Sequence, residues 1–232
     1  MSTRPLLVVS LLGLLAPSMS PGKAMKKTDE PQPPMAPKRM KATEGRLEPL
    51  PNGRLRIEDP KVRAVVPANE EPKALALAPS ARTGTQVAEL RLTYLGATAV
   101  QKPLQSGEMR RQVGLKLRAQ DGCNVVYVMW RIEPKAGLVV SVKHNPGMHR
   151  SDDCGNGGYQ TVKPRSGSAV PVLAPGDSHT LRAELRGAEL NVLVDGKPVW
   201  EGTLPAEALT FDGPVGLRSD NGRFDVELFS NP

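Results

Sequence analysis

The chain has 232 residues, of which 39% are hydrophobic and 3% aromatic, and its formal net charge is +7. The positive excess lies before residue 85, because residues 21–84 carry 13 Lys/Arg and 8 Asp/Glu whereas residues 85–232 carry 17 and 16. The nearly neutral C-terminal part argues against a nucleic-acid-binding surface, and no segment is apolar over the ~20 residues that a transmembrane helix requires. We therefore expect no nucleic acid partner and no transmembrane segment.

Residues 1–24 have the pattern of a signal peptide. Arg4 precedes a short apolar run from Leu6 to Ala16, and small residues suited to cleavage follow, the last of them Ala24. The apolar run is too short to span a bilayer. The pattern predicts a protein that is exported, either secreted from the cell or periplasmic.

Residues 25–84 are predicted to be a disordered linker rich in proline and lysine. They contain ten prolines and no aromatic residue, a composition typical of segments that cannot bury enough apolar surface to fold. All eight aromatic residues of the chain lie between Tyr94 and Phe229. We therefore place the folded domain at residues 85–232. The linker is expected to act as a spacer or, alternatively, to contact anionic polysaccharide or lipid headgroups through its basic pairs.

Patterns with a period of two predict nine or ten short strands from Val87 onward. The run from Val125 to Ile132 is apolar at almost every position, which predicts a central strand covered on both faces. The run from Leu190 to Val194 leads into Asp195-Gly196, a strong signal for a two-residue hairpin turn. No apolar stripe with helical spacing exceeds two turns, and only Pro205–Leu209 is expected to form a helical turn. These patterns predict an all-β fold, an antiparallel β-sandwich of the jelly-roll type.

The two cysteines, Cys123 and Cys154, are expected to form a disulfide bond, because an exported protein folds in an oxidising environment. His144 and His149 lie between them, so a zinc site is the alternative. The spacing Cys-x20-His-x4-His-x4-Cys matches no known structural zinc site, and we favour the disulfide.

About fifty C-terminal residues resemble a known superfamily. The segment HTLRAELRGAELNVLVDGKPVWEG begins at His179, and GPVGLRSDNGRFDVELF begins at Gly213. Their hairpin and final strand resemble the last strands of concanavalin A-like, laminin-G-like jelly rolls. They are most similar to exported bacterial domains of the glycoside-hydrolase-like family 16 or keto-disaccharide hydrolase type. The resemblance implies a jelly-roll sandwich, a fold that lectins, hydrolases and interaction modules share.

Residues 144–160 form the most unusual polar segment of the sequence. Carboxylate and amide groups bond sugar hydroxyls, and an aromatic ring stacks on a pyranose face. The candidate ligand-binding residues are His144, Asp152, Asp153, Asn156 and Tyr159. Calcium is an alternative ligand, since Asp152 and Asp153 offer the oxygen atoms that this cation prefers. The other alternative is a polar surface loop that is ordered by its disulfide and binds nothing.

Asp225 and Glu227 are the candidate catalytic pair. Their i, i+2 spacing places both carboxylates on one face of the last strand, about 6–7 Å apart along the chain. Glycan-cleaving members of the resembled superfamily carry a Glu-x-Asp-x-x-Glu pattern, which is absent here. We therefore expect the two carboxylates to be solvated and the protein not to be an enzyme.

The sequence as a whole favours an exported, non-catalytic jelly-roll module that binds a carbohydrate or another envelope component as a monomer. Two alternatives stay open. One is a glycoside-processing hydrolase of the same fold, and the other is a structural domain that binds protein partners.

Overall fold

The computed structural model describes residues 35–67 and 84–231, which form two antiparallel β-sheets packed face to face. Helical structure in these residues is limited to one α-helical turn, α1 (Ser151–Cys154), and one 3₁₀ turn (Ala206–Leu209). Neither turn is long or apolar enough to cross a membrane. The sixteen strands are β1 (Ala36–Pro37), β2 (Lys41–Glu44), β3 (Glu48–Pro49), β4 (Leu55–Ile57), β5 (Lys61–Val65), β6 (Thr85–Ala97), β7 (Arg111–Leu117), β8 (Val125–Glu133), β9 (Gly137–Lys143), β10 (Tyr159–Val162), β11 (Ser166–Gly167), β12 (Ser178–Arg186), β13 (Glu189–Val194), β14 (Lys197–Thr203), β15 (Gly216–Asp220) and β16 (Gly222–Ser230).

The strands make one nine-stranded and one seven-stranded sheet. The larger sheet has the order β11-β14-β13-β12-β6-β16-β4-β3, with β1 also paired to β16. The smaller sheet has the order β10-β9-β8-β7-β15-β5-β2. The predicted all-β sandwich of the jelly-roll type is confirmed, and so is the helical turn expected near the end of the chain.

The core lies between the two sheets and is built from one face of each strand. In β16, Phe224, Val226 and Leu228 are buried and alternate with residues that are only partly buried. Trp130 of β8 is fully buried, and its Nε1 donates a hydrogen bond to the carbonyl oxygen of Pro171 at 3.2 Å. Since side chains alternate between the two faces of a strand, apolar alternation in the sequence located most of these elements.

The predicted hairpin at Asp195-Gly196 is also confirmed. β13 pairs with β14 on either side of it, with Val194 opposite Lys197. Asp195 and Gly196 have φ angles of +50° and +75°, the positive values that a tight two-residue turn demands.

The predicted linker is wrong for residues 35–67, which belong to the sandwich. β4 pairs with β16 in the larger sheet, and β5 pairs with β15 in the smaller one. Ile57, Val62 and Ala64 are fully buried in the common core. The fold therefore includes residues well before the predicted boundary at 85. The rest of the predicted linker and the predicted signal peptide lie outside the described residues.

Small aliphatic side chains, rather than aromatic ones, anchor this N-terminal segment. Val62 and Ala64 of β5 point into the core and alternate with partly exposed residues. Complete burial of one valine contributes roughly 1.5 kcal/mol or more, so a few such residues hold a short segment in place. The prolines that suggested disorder are compatible with strands, because Pro37 and Pro49 lie in the two-residue strands β1 and β3 at the periphery of the larger sheet.

A buried carboxylate joins the N-terminal segment to the smaller sheet. Asp220 of β15 is fully buried, and Arg63 of β5 donates to its Oδ1 at 2.7 Å. The Oδ2 atom accepts hydrogen bonds from Arg218 at 2.8 Å and from Gln112 at 2.7 Å. Burial alone would raise the pKa of Asp220, but the charges of Arg218 and Arg63 lower this pKa to about 2. The carboxylate is therefore ionised at neutral pH and fully bonded.

The predicted disulfide between Cys123 and Cys154 is confirmed. The two residues are 31 positions apart in the chain, and the bond ties the turn before β8 to α1. Closing a loop of this length in the unfolded chain contributes about 3–4 kcal/mol in the chain-entropy account of disulfides.

Replacing Asp220 with Asn is expected to lower the free energy of unfolding by about 3–5 kcal/mol, because two guanidinium groups lose the carboxylate that neutralises them in a buried place. The matched control is Asp225→Asn. Asp225 pairs with Arg56, whose side chain is 37% exposed, so this loss should be about 1 kcal/mol or less. Urea denaturation at pH 7 measures both variants. Equal decreases in the free energy of unfolding would show that the buried carboxylate of Asp220 stabilises the fold no more than the exposed ion pair of Asp225 does.

Candidate functional site

The face of the seven-stranded sheet that points away from the core carries an unusual set of cationic, polar and aromatic side chains. Lys116 of β7 pairs with Tyr127 of β8, and Tyr127 pairs with Ser141 of β9. In the neighbouring row, Arg218 of β15 pairs with Arg63 of β5. Directly paired residues have Cβ atoms about 4.5–5.5 Å apart. The register therefore gathers residues that are distant in the sequence onto one surface.

These side chains form the floor of a cleft with a volume of about 820 Å³. Part of its wall comes from residues between Leu104 and Arg110, which follow β6. Another part comes from the turn at Gln120–Gly122 and from α1. The N-terminal segment contributes residues of β2 and β5. Clefts that bind small ligands commonly have volumes of about 300–1,000 Å³, and this one lies within that range.

Two glycines keep the floor of the cleft open. A Cβ atom at Gly114 of β7 would lie 2.0 Å from a backbone carbonyl oxygen of β8. A Cβ atom at Gly216 of β15 would lie 2.2 Å from a backbone carbonyl oxygen of β5. Any larger residue at either position would push a neighbouring strand away. Arg218 lies directly opposite Gly114, and the missing side chain leaves room for Arg218 to extend across β7.

Arg218 connects the buried carboxylate of Asp220 to the aromatic part of the floor. Its guanidinium carbon lies 4.9 Å from the centre of the Tyr127 ring, and its Nη1 donates to the hydroxyl of Tyr159 at 3.3 Å. The two tyrosine rings stack, with centroids 6.1 Å apart and planes inclined by 21°. Burial raises the pKa of Tyr127 to about 12, whereas Tyr159 is 40% exposed. Tyr159 is therefore a positioned aromatic surface that a ligand can reach.

Besides Lys61 of β5, two cations of the cleft have no hydrogen bond or ion pair within the described part of the chain. Lys116 is one of them, although only 5% of its surface is exposed. Arg131 is the other, and its Nε atom is buried without a partner. Burial and the repulsion from Arg63 and Arg218 lower the pKa of Lys116 to about 8. At neutral pH, Lys116 is still mostly protonated, so the floor holds positive charge that no side chain of the described residues neutralises by direct pairing.

Positive charge also exceeds negative charge over the whole lining. The lining carboxylates are Glu44, Glu108, Asp121 and Asp152. The lining cations are Lys61, Arg63, Arg110, Lys116, Arg131, Lys143 and Arg218. Three of the four carboxylates already have a partner: Asp121 accepts a hydrogen bond from His149 at 2.8 Å, Arg110 donates to Glu108, and Arg63 lies 3.8 Å from Glu44.

The disulfide-bonded loop, residues 144–160, is fixed against the turn before β8. Lys143, at the end of β9, donates to the carbonyl oxygens of Gly122 at 3.1 Å and Gly155 at 2.9 Å. The Nδ2 of Asn145 donates to the carbonyl oxygen of Cys123 at 3.2 Å. Together with the disulfide, these bonds hold the loop as a rigid side of the cleft.

The structure brings three of the five predicted ligand-binding residues to the cleft. Asp152, Asn156 and Tyr159 line it. Asp153 is exposed but is not among the lining residues. Residues 144–160 therefore border the cleft, and Tyr159 near their end stacks on Tyr127 of the floor.

His144 lies away from the cleft. Its ring packs against Phe211, with centroids 5.8 Å apart, and its Nε2 lies 3.2 Å from the hydroxyl oxygen of Thr210. His144 directly follows Lys143, which lines the cleft, and successive residues of an extended chain point to opposite sides. The prediction that His144 binds a ligand has no support in this placement.

Metal binding was the alternative suggested for Asp152 and Asp153. Within residues 35–67 and 84–231, no group of three or more His, Cys, Asp or Glu side chains is placed to hold a metal ion. In this part of the chain, the two carboxylates thus have no third His, Cys, Asp or Glu side chain placed to share a metal ion with them.

The predicted catalytic pair, Asp225 and Glu227, lies on the outer face of the other sheet. Arg56 donates to both carboxylate oxygens of Asp225, at 2.8 Å and 3.0 Å. These hydrogen bonds lower the pKa of Asp225, which keeps it from acting as an acid near neutral pH. Glu227 borders a smaller depression of about 380 Å³. The two carboxylates are therefore remote from the cleft on the seven-stranded sheet.

The residues that form the floor were missed in the sequence. The run from Val125 to Ile132 is buried as predicted, but its second face is not covered by another layer of the sandwich. That face carries Tyr127, Met129 and Arg131, which line the cleft. The pattern that could have indicated this floor is the alternation of polar or aromatic residues with core residues on several strands. It could not be used, because the sequence does not say which strands are neighbours.

No family model and no curated protein matches this chain. Among solved structures, the carbohydrate binding module CBM66 from Bacillus subtilis matches with 11% identity and a TM-score of 0.52, over 82% of this chain and 92% of that one. The GH43 protein BlXynB from Bacillus licheniformis matches with 14% identity and a TM-score of 0.44, over 76% of this chain and 32% of that one. A tetrameric galectin from the sponge Cinachyrella matches with 14% identity and a TM-score of 0.42, over 64% and 92%. At such identities, the first match shows a shared jelly-roll-like fold.

Replacing Lys116 with Met should raise the free energy of unfolding at pH 7 by about 1–3 kcal/mol, because a buried charge without a counter-ion is removed. The folded-state pKa of Lys116, about 8, lies below the usual 10.5. The penalty is therefore complete below pH 8 and disappears as the pH rises towards 10.5. The charged groups that act on the pKa of Lys116 are Arg63, Arg218, Asp121 and Glu44, and none of these four groups ordinarily titrates between pH 8 and 10.

Urea denaturation at pH 7 and at pH 9.5 provides the measurement, and the gain of the Lys116→Met variant should shrink at the higher pH. The control is Lys197→Met, which removes the same charge from an exposed residue of β14. A Lys116→Met protein that is less stable than the natural one at pH 7 would mean that Lys116 has a counter-ion.

Proposed function

We propose that the protein is an exported, non-catalytic module that binds a carbohydrate in the cleft of the seven-stranded sheet. The observation that carries the proposal is the position of Tyr159, which is 40% exposed at a cleft of about 820 Å³. A sugar ring has an apolar face that packs on such an aromatic surface and a rim of hydroxyl groups that need hydrogen bonds. The surrounding arginine, lysine and amide side chains supply donors for that rim.

The rigidity of the site supports binding of a preformed ligand. Tyr159 is held by Arg218 and by its stacking on Tyr127. The loop beside it is fixed by the disulfide and by Lys143. A site that is already ordered loses little side-chain entropy when a ligand binds. The shared fold with CBM66, which is named as a carbohydrate binding module, is compatible with this use.

A role in binding without hydrolysis agrees with the placement of the carboxylates. Asp225 and Glu227 lie on the other sheet, and Asp225 is held by Arg56. Glycoside hydrolysis requires two carboxyl groups on either side of the scissile bond, one of them with a raised pKa. The proposed cleft has Glu108 with a lowered pKa beside Arg110 and Asp121 with a lowered pKa beside His149 and backbone amides. Neither is suited to donate a proton at neutral pH.

Replacing Tyr159 with Ala should reduce retention on the bound polysaccharide about tenfold, the equivalent of losing one stacking contact of ~1–1.5 kcal/mol. Retention is measured by pull-down on a panel of insoluble polysaccharides. The Tyr159→Phe variant keeps the ring, so it should retain most of the binding. The Glu227→Gln variant, on the other sheet, should bind like the natural protein.

Three results would argue for the alternatives. Lack of retention on every polysaccharide, with the protein folded, would overturn the proposal. Release of reducing sugar that Glu227→Gln abolishes would favour the hydrolase. Capture of envelope proteins without any sugar binding would favour a protein-interaction domain.

We also propose that the protein is exported after cleavage of its first residues. The disulfide between Cys123 and Cys154 supports export, since such bonds persist in oxidising compartments. Expression of the full chain in a bacterial host should yield a protein outside the cytoplasm that begins within a few residues of Ala24. N-terminal sequencing checks this. A protein that stays in the cytoplasm with Met1 intact would contradict it.

A further inference from the structure

The floor of the cleft holds more positive charge than its own carboxylates can balance. Arg63 and Arg218 share a single buried carboxylate, that of Asp220, and Arg63 also lies 3.8 Å from the exposed carboxylate of Glu44. Lys116 and Arg131 have no hydrogen bond or ion pair to any described residue. Buried charges in proteins are normally paired, because leaving water without a counter-ion is costly. The excess calls for an anion that is not part of the described chain.

The strand register places Lys116 and Arg218 close together and puts Arg131 on the far side of Arg218 from Lys116. Lys116 pairs with Gly216, two residues before Arg218 on the same strand, so Lys116 and Arg218 are diagonal neighbours. Diagonal neighbours in an antiparallel sheet lie about 7–8 Å apart at the backbone, within reach of long side chains. Arg131 pairs with Gln112, on the opposite side of Gly114 from Lys116. The cations thus surround the open part of the floor instead of being scattered around the cleft.

A neutral ligand would make this arrangement worse. Covering the cleft removes the remaining water from Lys116, of whose surface only 5% is exposed. Sugar hydroxyls can accept hydrogen bonds from an ammonium group, but they carry no charge to offset the lost hydration. A carboxylate or a sulfate supplies both, and guanidinium groups match the geometry of these anions with paired hydrogen bonds.

We infer that the ligand of the cleft is an acidic saccharide, whose carboxylate or sulfate groups lie against the floor cations Lys116 and Arg131 while a sugar ring packs on Tyr159. This inference rests on the proposed carbohydrate-binding function and specifies its ligand class. Burial and, after it, the repulsion from Arg63 and Arg218 lower the pKa of Lys116, which agrees with an unfilled anion position beside these groups.

The test compares pairs of polysaccharides that differ in charge but not in backbone. Polygalacturonate and its fully methyl-esterified form isolate the carboxylate, and dextran sulfate and dextran isolate the sulfate. Affinity gel electrophoresis of the full-length exported protein at 50 and 150 mM NaCl measures binding. At least one acidic member should bind tenfold or more tightly than its neutral partner, and the preference should weaken at the higher salt because of screening. The pair that shows the preference identifies the anion.

Two variants assign the preference to the floor. Lys116→Gln should reduce binding of the acidic member tenfold or more while binding of the neutral member changes little. Lys197→Gln removes the same charge from an exposed position on the other sheet and should leave both values unchanged. Because Lys116→Gln also removes a buried unpaired charge, it should fold, and its unfolding curve confirms this.

The outcomes separate the inference from the proposed function. Equal binding of acidic and neutral members, abolished by Tyr159→Ala, would overturn the inference and leave carbohydrate binding in place. Loss of preference in Lys197→Gln as well as in Lys116→Gln would overturn the location at the floor. Binding of polyglutamate as tightly as of the acidic glycan, or no binding of any glycan, would overturn both proposals.

Discussion

The carboxylate of Asp220 is the interaction on which the architecture of the cleft depends. It lies in a strand near the middle of the seven-stranded sheet and bonds Arg63, Arg218 and Gln112, which belong to three different strands. Because the group is fully buried, none of these bonds can be replaced by water. Fixing Arg63 attaches the N-terminal segment, and fixing Arg218 sets the guanidinium over the Tyr127 ring. One buried charge thereby positions both the end of the sheet and the aromatic floor.

The same strands line the core with one face and the cleft with the other. In β7, Leu115 and Leu117 fill the core between the sheets while Lys116, between them in the sequence, faces the cleft. In β8, Trp130 is in the core and Arg131 is in the cleft. The face that lines the cleft is less favourable for folding, since it buries cations without counter-ions. Proteins commonly accept such a loss of stability at a functional site, and the disulfide and the large core on the other face offset it.

The sequence was sufficient for the fold class, most strands from Thr85 onward, the hairpin at Asp195-Gly196 and the disulfide, because each depends on local pattern or on a pair of residue types. For residues 35–67, the prolines and the lack of aromatic residues led to a wrong prediction of disorder. This segment contains β5, whose residues Val62 and Ala64 are buried in the core. The floor of the site could not be derived. Lys116 and Arg218 are a hundred positions apart, and only the pairing of β7 with β15 brings them together.

The path of the N-terminal segment has a consequence for any shortened form of the protein. β4 pairs with one edge of β16, and β5 pairs with one edge of β15. A fragment starting at residue 85 would leave these two strand edges with unpaired amide and carbonyl groups. Strands of other molecules readily pair with such an exposed edge. It would also expose the apolar patch that Ile57 and Val66 normally cover. Such a fragment should self-associate, so a domain boundary chosen from aromatic content alone would produce an aggregating protein and conceal the activity being sought.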